Sequence, residues 1–373
     1  MSSGGDLLDT SIYPKILEDD MSVNPLNLYT SENLKADLAK GAGDKPAPLD
    51  LDDQSLGQLL GILTDVHGPN SPVKDIPRQK LADPEMIKLL FDKGWLIQAE
   101  DKQDKLRTNP DARGAVQALL NPKTRIQLIL GGMTELAITE LYSADGYKDD
   151  ALVIYSHKEQ EGRHIIHPSL SPSDVSDALL AHLIIGPREG LVFEQAMRQD
   201  LMLPYLTVLD LIYARRLEAK LRSDLFPELT FTADDLLVRF AEIRLGEDLM
   251  WLSALLPYLF PYIQSEMGAE EVPDLLGQLA EEGLLTPLEG SRYQPNDFSV
   301  ALSEALLPTF AYASLAIVNT EEEGLHLAFL VGQNVNLVVK VDAVDGDNLV
   351  GMTGMDVKQF SKILFDLGLP ESE

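Results

Sequence analysis

The stretch MIKLLFDKGWL at residues 86–96 decides the fold, because a second version of it, LLGQLAEEGLL, occurs at residues 275–285. Both stretches have the apolar spacing of an amphipathic helix, followed by a glycine and another apolar residue. Gly94 and Gly283 stand where a helix C-terminus turns left-handed, a conformation that glycine adopts freely. We therefore predict a helix that ends at a positive-φ glycine in each of two copies of one structural unit.

Further matches follow in the same order along the chain. Ala118, in AVQALLNP, matches Ala305, in LSEALLP, and Asp174 at the start of a predicted helix matches Asp356. The offset between the copies changes in small steps, from 189 to 187 to 182 residues, as insertions in loops would make it. This ordered series indicates an internal duplication.

Between the matched helices, each half contains four short apolar segments separated by turn residues. Short strands joined by short turns predict an antiparallel meander. Each unit is therefore helix, glycine turn, helix, four strands and helix, which makes the protein α+β. The predicted strands are 125–130, 136–142, 151–156 and 163–166 in the first half, and 310–318, 325–331, 335–341 and 348–351 in the second.

The chain divides into four predicted segments. An acidic tail covers residues 1–48, a first α+β repeat covers 49–187, a helical connector covers 188–230, and a second repeat with a helical subdomain covers 231–373. The tail either moves freely or docks on the body as a strap. Helical spacing runs through 189–221, where Pro204 should kink or split the helix, and continues at 233–245 and 249–264.

Composition excludes several classes of function. The 373 residues include 30 Lys and Arg against 60 Asp and Glu, which gives a net charge of −30 and opposes binding to nucleic acid or to anionic lipid. The absence of cysteine excludes disulfides and thiolate metal sites. The N-terminus has no secretory pattern and no apolar run is long enough to span a bilayer, so we expect a cytoplasmic protein without membrane insertion.

The sequence does not contain a recognisable catalytic motif, so we expect no enzyme, no cofactor and no metal. It contains no G-x-S-x-G nucleophile motif, P-loop or dinucleotide-binding glycine pattern. His164 and His167 have a spacing that could chelate a metal on a helix, but they fall in a predicted strand, where residues three apart point to opposite faces. We therefore predict that they are solvent-facing strand residues. Glu321, Glu322 and Glu323 fit a solvated hairpin tip between two strands.

Two features suggest contact with a partner protein, and each has a structural alternative. Arg215, Arg216, Lys220 and Arg222 form the main basic cluster, which is either an internal set of ion pairs or a docking position for an acidic partner. Residues 250–262 are denser in apolar side chains than one buried stripe requires, so they form either a buried helix or an exposed groove. The candidate partner-binding residues are Met250, Trp251, Leu255, Leu259, Phe260 and Tyr262.

The order of these elements resembles that of the EspG family of type VII secretion chaperones. The residues that carry the resemblance are the helix end at 89–96, the helix at 115–120, the four strands within 125–166, the helix from Asp174, and the second copy at 275–367. The resemblance implies two pseudo-symmetric halves and a non-enzymatic role in binding helical effector proteins until export.

The sequence therefore predicts a non-enzymatic protein-binding protein. The resemblance implies that it is a cytosolic chaperone or adaptor for a secretion system, whose partner is a helical effector or effector pair. The alternative is an enzyme or small-ligand-binding protein with a site between the two halves, because duplicated folds often bind ligands there.

Overall fold

The computed structural model describes residues 46–367, with gaps at 64–67, 69, 80–83, 100–101, 133–135, 146–150, 159–161, 184–185, 188, 225–227, 247–248, 262, 264–265, 320–323 and 345–346. Most of the predicted tail, Tyr262 and Glu321 to Glu323 lie outside these residues. The predicted α+β class is confirmed, with ten helices and fourteen strands in the described part.

The first half contains strands β1 to β7 and helices α1 to α4. In chain order these are β1 (Leu49–Asp52), α1 (Asp53–Leu63), α2 (Pro84–Asp92), β2 (Leu96–Ala99), β3 (Lys102–Thr108), α3 (Pro110–Leu120), β4 (Thr124–Gly132), β5 (Leu136–Ser143), β6 (Leu152–Lys158), β7 (Arg163–Leu170) and α4 (Pro172–Leu183).

The second half repeats this order with two additional helices. It contains β8 (Phe193–Arg198), a 3₁₀ turn, α5 (Met202–Leu221), α6 (Ala233–Gly246), α7 (Leu252–Leu259), α8 (Val272–Glu281), β9 (Leu285–Leu288), β10 (Arg292–Pro295), α9 (Asp297–Leu306), β11 (Ala311–Asn319), β12 (Gly324–Val331), β13 (Asn336–Val344), β14 (Asp347–Met355) and α10 (Val357–Asp366).

One ten-stranded sheet joins the halves, in the order β1-β7-β6-β5-β4-β11-β12-β13-β14-β8. All of its pairings are antiparallel, as the meander prediction requires. At the junction, Leu128 on β4 lies opposite Leu315 on β11, and the two leucines are also equivalent under the 187-residue offset. An approximate twofold axis therefore passes through this leucine pair.

The glycine turns are confirmed and match in detail. Gly94 and Gly283 both have φ of +74°, and the amide of the next residue donates a 2.8 Å bond to Leu90 O in one copy and a 3.0 Å bond to Leu279 O in the other. Asn109 and Asn296 then cap α3 and α9, and each side chain also donates to the carbonyl oxygen of the turn glycine. Such matched bonding supports the duplication.

Short polar hairpins, β2–β3 and β9–β10, separate the glycine turn from the following helix in both copies. The sequence interpretation had the two helices adjacent, because three of these strands have only four residues and none has a clear apolar alternation.

The segment predicted as a helical connector contains an edge strand as well as a helix. Residues 193–198 form β8, so the prediction of helix from residue 189 is wrong at its start. β8 pairs with β14 as β1 pairs with β7, which places both strands at equivalent edges of the sheet. Pro204 does not split α5, which runs uninterrupted over Met202–Leu221, because the proline lies in the first turn, where it is tolerated.

Helices cover both faces of the sheet. α4 and α10 pack on one face over a core that contains Leu128, Leu315 and Phe329. The opposite face carries two helical modules. Module 1 comprises α1, α2, α3 and β2–β3, and module 2 comprises α5 to α9 and β9–β10.

Candidate partner-binding surface

The two modules differ most in their first helix. α1 has 11 residues, whereas α5 has 20. α6 and α7 follow α5 before the shared pattern resumes at α8, and the described residues between α1 and α2 include no equivalent helix. Because the sheet and the helix–hairpin–helix element are present in both halves, module 2 is an expanded version of module 1.

The first half of α5 is buried on all sides. Its residues 202–212 are buried, and they pack among α7, α8 and α9. Asp210 accepts bonds of 2.9 Å from each of the Leu252 and Ser253 backbone N–H groups, and a 2.6 Å bond from Ser253 Oγ. Asp210, on the neighbouring helix α5, therefore supplies the hydrogen-bond acceptor for the free backbone N–H groups at the N-terminus of α7. Its complete burial raises the pKa of Asp210 to about 6.

The second half of α5 carries an apolar line on its surface. Tyr213, Leu217 and Leu221 are four residues apart and therefore lie on one helix face; we call them the α5 stripe. Leu217 is 41 % exposed and Leu221 is 80 % exposed. Tyr213 makes an edge contact with Trp251, with ring centroids 6.0 Å apart, and Trp251 also stacks under the Arg239 guanidinium at 3.9 Å. The stripe thus begins at a fixed aromatic pair and ends in solvent.

The basic cluster flanks the stripe, and three of its members form ion pairs. Arg215 lies 3.4 Å from Asp235, Arg216 lies 2.6 Å from Glu304, and Arg222 lies 3.7 Å from Glu218. These pairs favour the internal ion-pair interpretation of Arg215 and Arg216, whose side chains are mostly buried. Arg222 and Lys220 are exposed, so they still contribute positive charge beside Leu221.

An open cavity of 270 Å³ lies at the base of the stripe. Its lining combines apolar, cationic and amide side chains: Tyr213, Arg216, Leu217, Lys220, Glu304, Gln333 and Asn334. A cavity of this size accepts one or two side chains of a bound chain rather than a whole cofactor. It extends the stripe from a flat line into a shallow groove.

Of the partner-binding residues predicted from sequence, some are buried in the core and others are partly exposed. Leu255, Leu259 and Phe260 are buried in the core, so these three side chains are not on the surface. Met250 and Trp251 are half-buried at the start of α7. The apolar density of this segment arises because α7 packs against α5, α6 and β11, so it requires apolar residues on more than one face.

A buried polar chain connects the end of α7 to the sheet, and the Phe260 ring packs against it. Ser314 Oγ donates a 2.9 Å bond to Leu259 O and lies 2.7 Å from His326 Nε2, while the His326 ring packs 4.7 Å from Phe260. Burial lowers the pKa of His326 to about 4, so the imidazole is neutral at pH 7.

The sequence interpretation did not identify the α5 stripe. It treated residues 215–222 as a basic cluster and did not consider the leucines between the cations. The signal was present as Tyr213, Leu217 and Leu221 at helical spacing, but whether that face is buried depends on how far α5 extends beyond its neighbours.

The structure brings together one group of potential metal ligands among the described residues: Asp53, His157 and His164. His167 does not belong to it, because His164 and His167 alternate to opposite faces of β7. The prediction that both are solvent-facing is wrong for His164, which the packing of α1 and β1 against β7 buries.

Comparisons with known proteins give matches among solved structures. No protein-family model matches the chain, and no curated protein matches it. A similar solved chain occurs in the structure of the Mycobacterium tuberculosis type VII secretion system chaperone EspG5 in complex with the PE25–PPE41 dimer. The likeness covers 88 % of this chain and 98 % of that chain, at 9 % identity and a TM-score of 0.41. None of the described helices combines the length and hydropathy needed to cross a bilayer.

Proposed function

We propose that this protein is a non-enzymatic binding protein that holds a helical segment of another protein along the α5 stripe. The observation that carries the proposal is the exposure of Leu217 and Leu221 on a helix whose preceding half is fully buried. A rigidly anchored apolar line is well suited to helix-in-groove recognition, because little ordering entropy is lost on binding.

The chemistry around the stripe specifies the partner further. A helix with apolar residues at a spacing of three and four would place them against Leu217, Leu221 and the cavity beside Tyr213. Residues 213–222 contain four basic residues and one acidic residue, in a chain whose net charge is −30. We therefore expect acidic residues on the flanks of the bound helix, opposite Lys220 and Arg222, where opposite charges favour encounter.

A more specific role is part of the proposal. The resemblance of the element order to the EspG family suggests a chaperone or adaptor of a secretion system, acting in the cytoplasm on a helical effector or effector pair. Holding an exposed amphipathic helix would keep such an effector from aggregating before export.

Two synthetic helical peptides test the proposal directly. They share leucines at a spacing of three and four, but one carries Glu and the other Lys on its flanks. Fluorescence anisotropy of the labelled peptides measures their binding, and we expect the acidic peptide to bind more tightly. L217E/L221E should weaken that binding at least tenfold, since leucine burial is replaced by charge repulsion.

The matched control is Phe91→Glu, a change at another exposed apolar residue on α2 of module 1. It should leave peptide binding unchanged. Tighter binding of the lysine peptide, or equal binding by L217E/L221E and the wild type, would contradict the proposal.

A further inference from the structure

A second chemical feature lies in the first half of the protein, away from the α5 stripe. Asp53, His157 and His164 each offer one potential ligand atom, and these three atoms all lie within 4.8 Å of one another. Asp53 is the first residue of α1, while the histidines lie on β6 and β7.

Strand register brings the two histidines together. His157 and His164 are direct partners in the β6–β7 ladder, and their rings stack almost parallel, with centroids 4.4 Å apart at 6°. Cross-strand neighbours on one face share their side-chain direction, so the rings lie next to each other at the same edge. The two histidines are seven positions apart in the sequence, His157 on β6 and His164 on β7.

The edge strand brings the carboxylate. β1 pairs with β7, with Leu51 opposite His164, and α1 begins immediately after β1. Asp53 Oδ1 therefore lies 2.6 Å from His164 Nε2. His164 is 1 % exposed, whereas the Asp53 side chain is 67 % exposed, so the group has a buried base and an opening to solvent.

A further contact fixes the orientation of the buried ring. Tyr155 Oη lies 2.9 Å from His164 Nδ1, on the side of the imidazole away from Asp53. Histidines that bind metals generally use their second ring nitrogen in such a hydrogen bond, which sets the tautomer and the ring direction. The contact with the Asp53 carboxylate places the proton on Nε2, so Nε2–H donates to Asp53 Oδ1 and Nδ1 accepts from Tyr155 Oη–H. A bound cation would replace that proton at Nε2, and Nδ1–H would then donate to Tyr155 Oη.

We propose that Asp53, His157 and His164 form a binding site for a divalent transition-metal ion such as Zn²⁺. Two imidazole nitrogens and one carboxylate oxygen are ligands that zinc accepts, with a fourth position left for water. Hard ions such as Mg²⁺ and Ca²⁺ prefer sets made mainly of oxygen ligands and fit this group less well.

The His157 ring must turn to adopt this geometry, because two nearly parallel, stacked rings cannot direct their in-plane lone pairs at one ion. Tetrahedral zinc with bonds of about 2.0–2.1 Å places its ligand atoms about 3.3 Å apart. The Asp53–His164 pair at 2.6 Å must open slightly, and the most distant pair, within 4.8 Å, must close. Asp53 and His157 are both exposed and can make these changes while His164 remains fixed. A bound ion would then connect the start of α1 to the β6–β7 hairpin.

Zinc titration of the full-length protein tests this site. After treatment with a chelator and its removal, we expect one Zn²⁺ per chain by isothermal titration calorimetry. His157→Gln should weaken this binding at least tenfold, because it removes one of three ligands, and Asp53→Asn should weaken it less. Both positions are exposed, so neither variant should lose its fold, which circular dichroism would check.

The matched control is His167→Gln, on the same strand but on its other face, which should bind Zn²⁺ as the wild type does. Wild-type protein that binds no Zn²⁺, or equal affinity in the wild type, His157→Gln and Asp53→Asn, would overturn the proposal. Loss of affinity in His167→Gln comparable to that in His157→Gln would also overturn it.

Discussion

Module 1 and module 2 lie on the same face of one sheet and share a helix, a positive-φ glycine, a polar hairpin and an Asn-capped helix. They differ in what precedes that shared element. Module 1 has the 11-residue α1, whereas module 2 has the 20-residue α5 followed by α6 and α7. The two halves therefore share one scaffold, and the exposed apolar stripe lies on the longer first helix of module 2.

The largest expected effect concerns the buried contact between Asp210 on α5 and the N-terminus of α7 in module 2. Asp210→Ala should lower the free energy of unfolding by about 3 kcal/mol, because it leaves the α7 N-terminal N–H groups and Ser253 without their buried acceptor. Urea unfolding followed by circular dichroism measures this. Asp234→Ala, an exposed first-turn substitution in α6, should cost less than about 0.5 kcal/mol. Equal costs for the two variants would show that Asp210 does not anchor module 2.

The second effect is a pH dependence that arises in module 2. Burial depresses the pKa of His326 to about 4, against about 6.5 in the unfolded chain. The folded state therefore favours the neutral ring. The contribution of His326 to the free energy of unfolding is present above pH 6.5 and is lost as the pH falls towards 4. Protonation of His326 should therefore lower the free energy of unfolding by about 2 kcal/mol as the pH falls from 7.5 to 5.

The matched variant isolates the contribution of His326. Asp210 acts with the opposite sign, because its raised pKa makes the protonated form more favourable in the folded state, so its contribution grows as the pH falls from about 6. The wild type should therefore be compared with His326→Gln. Between pH 7.5 and pH 5, the free energy of unfolding should decrease less in the variant than in the wild type. Parallel pH profiles for the two proteins would contradict the assignment.

The smallest effect tests the equivalence of the two halves. Gly94→Ala and Gly283→Ala should each cost about 1 kcal/mol, because both glycines have φ of +74° and an added methyl group meets no atom closer than 3.7 Å at either. Gly277→Ala, inside α8, should instead stabilise the protein by about 0.5–1 kcal/mol. Costs for the two turn glycines that differ by more than 1 kcal/mol would weaken the equivalence.

Much of the scaffold could be predicted from sequence because its signals are local. The glycine turns, the four-strand meanders and the closing helices each have a periodicity or a punctuating residue. The edge strands β1 and β8 were missed, because strands of four and six residues have little periodicity of their own. Their position depends on pairing with β7 and β14, far away in the sequence.

The site residues were predicted less well because exposure is a property of the tertiary structure. Leu255 and Leu217 are both leucines at helical spacing, yet α7 is enclosed by neighbours while the end of α5 extends past them. The pairing of His157 with His164 likewise depends on the register of a hairpin, which the sequence interpretation did not determine.

Photo-crosslinking in cells of the source organism tests the central claim most directly. A photoreactive amino acid is placed at Leu221 on α5 in one protein and at Phe91 on α2 of module 1 in another, both positions being exposed. We predict that the Leu221 protein forms a crosslink to one discrete partner, that the crosslinked peptide is amphipathic, helical and acidic, and that Leu217→Glu abolishes it. Crosslinks of the same partner from Phe91, or a Leu221 crosslink that survives Leu217→Glu, would contradict the claim that the expanded module carries the binding surface.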